Sequence, residues 1–103
     1  MSAGIVYDFE WDAAKALANA AKHGVTFDRA ATVFRDRLAL TVFDKAHSQS
    51  EERWFTLGLD AGGKLLAVAH TYQTTGPNSA RVRIISARDA TPRERRFYEE
   101  EPR

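Results

Sequence analysis

"ERWFTLGLDAGGKLLAVAHTYQ", residues 52–73, is two runs of aliphatic, aromatic and β-branched residues interrupted by Ala61, Gly62 and Gly63. Glycine supplies the positive φ that a tight turn requires, so residues 52–60 and 64–73 read as the arms of an antiparallel hairpin. Closure around residues 61–63 sets positions near 53 opposite positions near 71. Arg53 and His70 are thereby brought into one neighbourhood across the ladder.

Outward from the hairpin the pattern stays strand-like. "LALTVFD" (38–44) reads as a strand and "AHSQSE" (46–51) as a polar loop; downstream, "TTGPNS" (74–79) reads as a second loop and "ARVRIISAR" (80–88) as a strand. A last helix opens at "TPRE", with Thr91 as cap, Pro92 at the first helical position and Glu94 three residues after the cap. Toward the N-terminus, "GIVYDFEW" contains a first strand at roughly residues 5–9. Asp12 caps a helix whose apolar stripe is Ala14, Leu17, Ala18 and Ala21, and Gly24 ends it. Thr26 caps a second helix that buries Phe27, Ala30, Ala31 and Phe34. The expected order is βααββββα in one domain, residues 1–103: an α+β fold with a small antiparallel sheet and helices packed on one face.

Composition narrows the chemistry. A chain of 103 residues holds one modest core and no separate cofactor domain. The absence of cysteine removes disulfide scaffolds and thiolate sites. The start has no basic head followed by an apolar run, and no stretch approaches the ~18 apolar residues of a membrane span, so a cytoplasmic chain without membrane contact is expected. Phosphate-binding glycine loops, dinucleotide fingerprints and zinc-helix signatures are missing from the sequence. His23, His47 and His70 are scattered without convergent carboxylates, and Ser48, Ser50 and Ser86 lie in no nucleophile context. Neither a metal nor a cofactor is expected.

Charge is balanced overall and uneven locally. From Arg81 to Arg96 there are six arginines against Asp89 and Glu94, a field that attracts polyanions. Arg81 and Arg83 share one face of their strand and Arg88 has the opposite parity, although a turn before Thr91 can swing its guanidinium back. Each position also has a plain structural reading. Arg53 can pair with Glu51 or Glu52, His70 can hydrogen-bond at a sheet edge, and Lys22 and His23 can complement the end of the first helix. Trp11 and Trp54 suit a core or an interface.

Taken together, "FEWD" (9–12), Lys15, Asn19, "KHGVTF" (22–27), Ala30 through Phe34 to Asp36, "HS..EER" (47–53), "GL" (58–59), "RIISAR" (83–88) and "ERRFYE" (94–99) resemble the BrnT-type ribonuclease toxins of bacterial type II toxin-antitoxin pairs. The resemblance implies a RelE-like fold, cleavage of cellular RNA with arrest of growth, and a cognate BrnA-like, DNA-binding antitoxin. It further implies two toxins bridged by an antitoxin dimer, with operator DNA reached only through the antitoxin. Its matched polar positions are Lys22, His23, Glu52, Arg53, Arg83, Arg88, Arg96 and Tyr98. The chain departs from the pattern at Arg29, where an acidic residue is common, at Arg37, where proline is common, and in a longer, more polar segment at residues 71–82.

Metal-free RNA cleavage needs activation of the ribose 2′-hydroxyl, neutralisation of a five-coordinate phosphorus and protonation of the leaving oxygen. Arginine suits the second task, because its planar fork grips phosphate oxygens and stays protonated. Arg83 and Arg88 are therefore the expected phosphate clamps, with Arg81 and Arg96 as further substrate contacts and Arg53 as an additional electrostatic one. The acid and base are sought among His23, His70, Glu52, Lys22 and Tyr98. Two other classes remain open: a non-catalytic nucleic-acid binder using the same arginines, and a structural partner protein.

Overall fold

In the computed structural model, which describes residues 4–102, the central hairpin forms with Trp54 opposite His70 and Leu59 opposite Leu65. Gly63 takes φ 85° in its turn, and the Asp60 carboxylate accepts the Gly62 and Lys64 N–H groups at 2.8 and 2.9 Å. In chain order the strands are β1 (Val6–Glu10), β2 (Leu40–Phe43), β3 (Trp54–Leu59), β4 (Leu65–His70), β5 (Gln73–Gly76) and β6 (Ser79–Asp89). The helices are α1 (Ala13–His23), α2 (Phe27–Thr32) and α3 (Pro92–Glu100).

The sheet runs β1-β6-β4-β3-β2. Its body is antiparallel, and β1 adds to β6 in parallel, placing Asp8 beside Arg81 and Glu10 beside Arg83. Residues 74–79, expected as a loop, are instead the tip of another hairpin. β5 pairs with β6 through Gln73–Arg81 and Thr74–Ala80 and turns at Pro77–Asn78. The threonines are β-branched and suit a strand, so the turn-forming residues only punctuate it. The arm that begins as β4 is interrupted at Thr71 and Tyr72, and β5 then carries on the pairing with β6.

Helices α1 and α2 lie on one face, over a core that includes Phe27, Val33, Leu66, Val68, Val82 and Ile84. On the reverse face α3 presses Tyr98 onto Leu57, Leu65 and Ala67. The caps at Asp12, Thr26 and Thr91 each accept a backbone N–H, Gly24 closes α1 at φ 69°, and Thr91 and Glu94 form a reciprocal capping box.

The buried side of α1 differs from expectation. Leu17 is 76% exposed, and Ala14, Ala18 and Ala21 share its solvent face. The inward side carries Asn19, with Ala16, Ala20 and His23 partly buried. Alanine on both sides of this helix lets either one pack, and a polar contact decides. β1 stops at Glu10, opposite Arg83, so β6 runs on without a neighbour on that side. Asn19 fills the gap by donating to Ala87 O at 2.8 Å and Val25 O at 3.0 Å and accepting from the Ala87 N–H at 3.1 Å. Burying that backbone unpaired would cost more than exposing one leucine.

Candidate active site

The register of β6 corrects the expected parity of its arginines. Ser86 pairs with Ala69, whereas Ile84 pairs with His70, so Ile85 is an extra residue in the strand. A bulge of this kind shifts the alternation by one. Arg81, Arg83 and Arg88 consequently all project to the reverse face, away from α1 and α2. Five residues of strand rise still separate Arg83 from Arg88, roughly 15 Å, and each has its own carboxylate.

Arg83 Nη2 donates to Glu51 Oε1 at 2.5 Å, and Arg53 Nη2 lies 4.0 Å from the same oxygen. The hydrogen bond from Arg83 holds the Glu51 carboxyl below its ordinary range against the opposing pull of desolvation, and the charges of Arg83, Arg53 and Lys15 add to it. Arg53 Nε is buried with no hydrogen-bond partner among the described residues, leaving a cationic donor unused. Glu52 and Thr71 line the adjoining cleft of about 400 Å³ with Glu10, Tyr72, Arg81 and Arg83. Arg81 leans on Asp8 at 3.6 Å.

Arg88 forms a separate unit. It grips Glu94 through two hydrogen bonds of 2.8 and 3.0 Å and stacks its guanidinium over Phe55 at 5.4 Å. These bonds raise the pKa of Arg88 and lower that of Glu94. The β6 end is thereby tied to the start of α3.

His70 is brought near Arg53 in the chain, as Trp54 faces it across the ladder, yet its ring lies on the helix side and is 0% exposed. Nδ1 lies 2.9 Å from the Thr71 carbonyl, which only accepts, so Nδ1 carries the proton. Burial holds the pKa below its ordinary value against the contrary pull of that carbonyl. In the neutral ring Nε2 therefore accepts from Thr56 at 2.7 Å, and Thr56 in turn accepts from Thr41 at 2.8 Å. Both ring nitrogens are occupied by this chain of bonds.

The remaining expected residues are dispersed. Lys22 and His23 occupy the last turn of α1, about 10 Å along the axis from Lys15 at 1.5 Å per residue and across the sheet from the arginine face. Arg96 is exposed on α3, and Tyr98 is buried with its hydroxyl donating to Asp36 at 2.5 Å. Arg29, one of the departures from the family pattern, holds Asp60 at 2.9 and 3.1 Å and joins α2 to the central hairpin turn. Among the described residues no group of three or more His, Asp or Glu side chains is arranged to hold a metal ion, and no helix is long and apolar enough to cross a membrane.

The family model described as "Ribonuclease toxin, BrnT, of type II toxin-antitoxin system" matches residues 11–94. The chain belongs to the BrnT family. It is thus a ribonuclease toxin that works as one half of a toxin-antitoxin pair, with the α+β, RelE-like fold of that group. The 1.1 Å crystal structure of the Brucella abortus ribonuclease toxin BrnT is similar to it at TM-score 0.55 and 25% identity, over 87% of this chain and 99% of that one. Among curated proteins no significant match is found. In this BrnT chain Glu51 joins Arg83 and Arg53, and the charge of Lys15 reaches it; sequence reasoning had placed neither at the site. Glu51 stood out only as a possible surface partner of Arg53, and Lys15 only as a position in a matching string.

Proposed function

We propose that Arg83 and Arg53 bind the scissile phosphate of RNA, with Glu51 holding their place until substrate arrives. The observation that carries this is the Glu51 carboxylate set between the two guanidiniums and kept ionised by them. A carboxylate and a phosphate offer arginine similar oxygen pairs, so one anion substitutes for the other. Glu52 lines the same cleft and serves as the base that takes the 2′-hydroxyl proton. The 2′ oxygen then attacks phosphorus, and the P–O5′ bond breaks as the 5′ oxygen leaves in the field of Arg83 and Arg53 and takes its proton from water. His70 is sequestered and His23 is remote, which is why the base is assigned to a carboxylate. Arg81 and Arg88 contact neighbouring phosphates, and no metal is required. The partner is a BrnA-like antitoxin in the cytoplasm, two copies bridging two toxins, as family membership supports.

Single-turnover cleavage of labelled RNA by antitoxin-free protein in excess chelator is the test. Arg83→Ala is expected to slow it roughly 30- to 1000-fold, equivalent to 2–4 kcal/mol for one preorganised donor, with the melting transition retained. Near-wild-type cleavage by both Arg83→Ala and Arg53→Ala would refute the assignment. Loss of wild-type activity in chelator, restored by a divalent ion, would refute the metal-free mechanism.

A further inference from the structure

At Thr71 and Tyr72, where β4 gives way to β5, the two faces of the sheet meet. On the helix side of this break lies a cavity of about 470 Å³ lined by Tyr7, Phe34, Thr41, Trp54, His70 and Tyr72. Tyr72 also lines the cleft of Arg83 and Glu52 on the reverse side, so the cavities adjoin at one side chain. Resting on the ribonuclease site proposed above, we propose that the aromatic cavity is a subsite for one unpaired RNA base, whose phosphate lies at Arg83.

The lining suits a flat π-system. Four of its six residues are Tyr, Phe or Trp, and Phe34 stands edge-on to the His70 ring with centroids 4.9 Å apart. Bases stack on such surfaces whatever their identity, since every base has a π-face. Hydrogen-bonding capacity is sparse. His70 has both nitrogens engaged and presents its ring, while Thr41 spends its hydroxyl proton on Thr56 and offers only lone pairs. Tyr7, whose pKa is raised by burial and then by Tyr72, and Tyr72 itself have no hydrogen-bond partner among the described residues. A subsite whose free polar groups are rotatable hydroxyls, able to donate or accept, takes several bases and favours those free to leave a stack. A base held in a duplex stays out, which confines the substrate to single-stranded segments.

The arginine cluster explains why the occupant is a nucleotide rather than an apolar side chain. A cavity of this size that meets the cleft of Arg83 at Tyr72 matches the base and phosphate of one residue of RNA.

The probe is a 2′-deoxy-substituted, uncleavable tetranucleotide, with or without a base at the central position, titrated by fluorescence anisotropy. Wild-type protein is expected to bind the abasic form about tenfold more weakly, the scale of stacking one base. Tyr72→Leu and Trp54→Leu, checked by thermal melts, are expected to erase that difference. Tyr72 is 38% exposed, so its replacement leaves the core in place. Arg83→Ala is expected to weaken both probes alike. Equal affinity of wild-type protein for the two probes overturns the subsite, as does base dependence that survives in both aromatic variants. Cleavage without base dependence leaves the ribonuclease site standing and removes this inference; base dependence lost at Tyr72 with no cleavage does the reverse.

Discussion

Asn19→Ala is expected to be strongly destabilising. Asn19 is 8% exposed and makes three hydrogen bonds to backbone groups of Val25 and Ala87. Truncation leaves one N–H and two carbonyls without partners where β6 lacks a neighbouring strand. A buried group deprived of its bond costs about 1–3 kcal/mol, and carbonyls with a second lone pair fall at the low end. The sum is about 3–5 kcal/mol, against a total stability of about 5–15 kcal/mol for a domain. At about 4–8 °C per kcal/mol for a chain of this size, the melting temperature should fall by roughly 12–40 °C. Urea and thermal melts read the loss directly. Below the transition, cleavage per folded molecule should be unchanged, because Asn19 lies on the face opposite the arginines. Asn19→Asp sharpens the test, since it keeps the bond from the Ala87 N–H but sets an oxygen against two carbonyls. Its folded-state pKa is raised, so its stability should recover as pH falls and drop as pH rises. A loss below about 1 kcal/mol for Asn19→Ala would refute the reasoning.

His70, whose folded pKa lies below 6.5, binds its proton more readily in the unfolded chain. Stability is therefore full above 6.5 and falls with pH below it until the folded pKa is reached, and urea melts at pH 7 and 5 should show a slope that His70→Gln flattens. Leu17→Ala, at an exposed site, should alter stability by no more than about 0.5 kcal/mol, whereas Leu66→Ala in the core should cost about 2–5 kcal/mol in the same denaturation assay. Arg88→Ala should slow cleavage if Arg88 holds a flanking phosphate, and Glu94→Gln, which frees Arg88 from its carboxylate, should not. Both should lower stability by about 1 kcal/mol or less, because the pair is partly solvent-screened.

The features legible in the sequence are those whose cause lies within a few residues. Asp12, Thr26 and Thr91 announce helix starts because each side chain accepts from a backbone N–H three residues on, and Glu94 accepts in return from the Thr91 N–H three residues back. Gly24 and Gly63 announce a stop and a turn through their positive φ. What stayed hidden depends on a partner. Alanine on both sides of α1 makes its two faces nearly equivalent until Asn19 meets the unpaired edge of β6. The threonines of β5 read as loop until β6 lies beside them. The arginines show the same limit at the site itself. Alternation along "RVRIISAR" sets Arg88 against Arg83, and the inserted Ile85, visible only through the pairing of Ile84 and Ser86 with β4, returns Arg88 to the same face. That one residue of slip puts all three arginines on one side, where the proposed contacts with RNA require them. Deleting Ile85 should therefore damage function through geometry even where every arginine is kept: restoring strict alternation would turn one end of β6, with either Arg88 or the Arg81–Arg83 pair, toward the helical core.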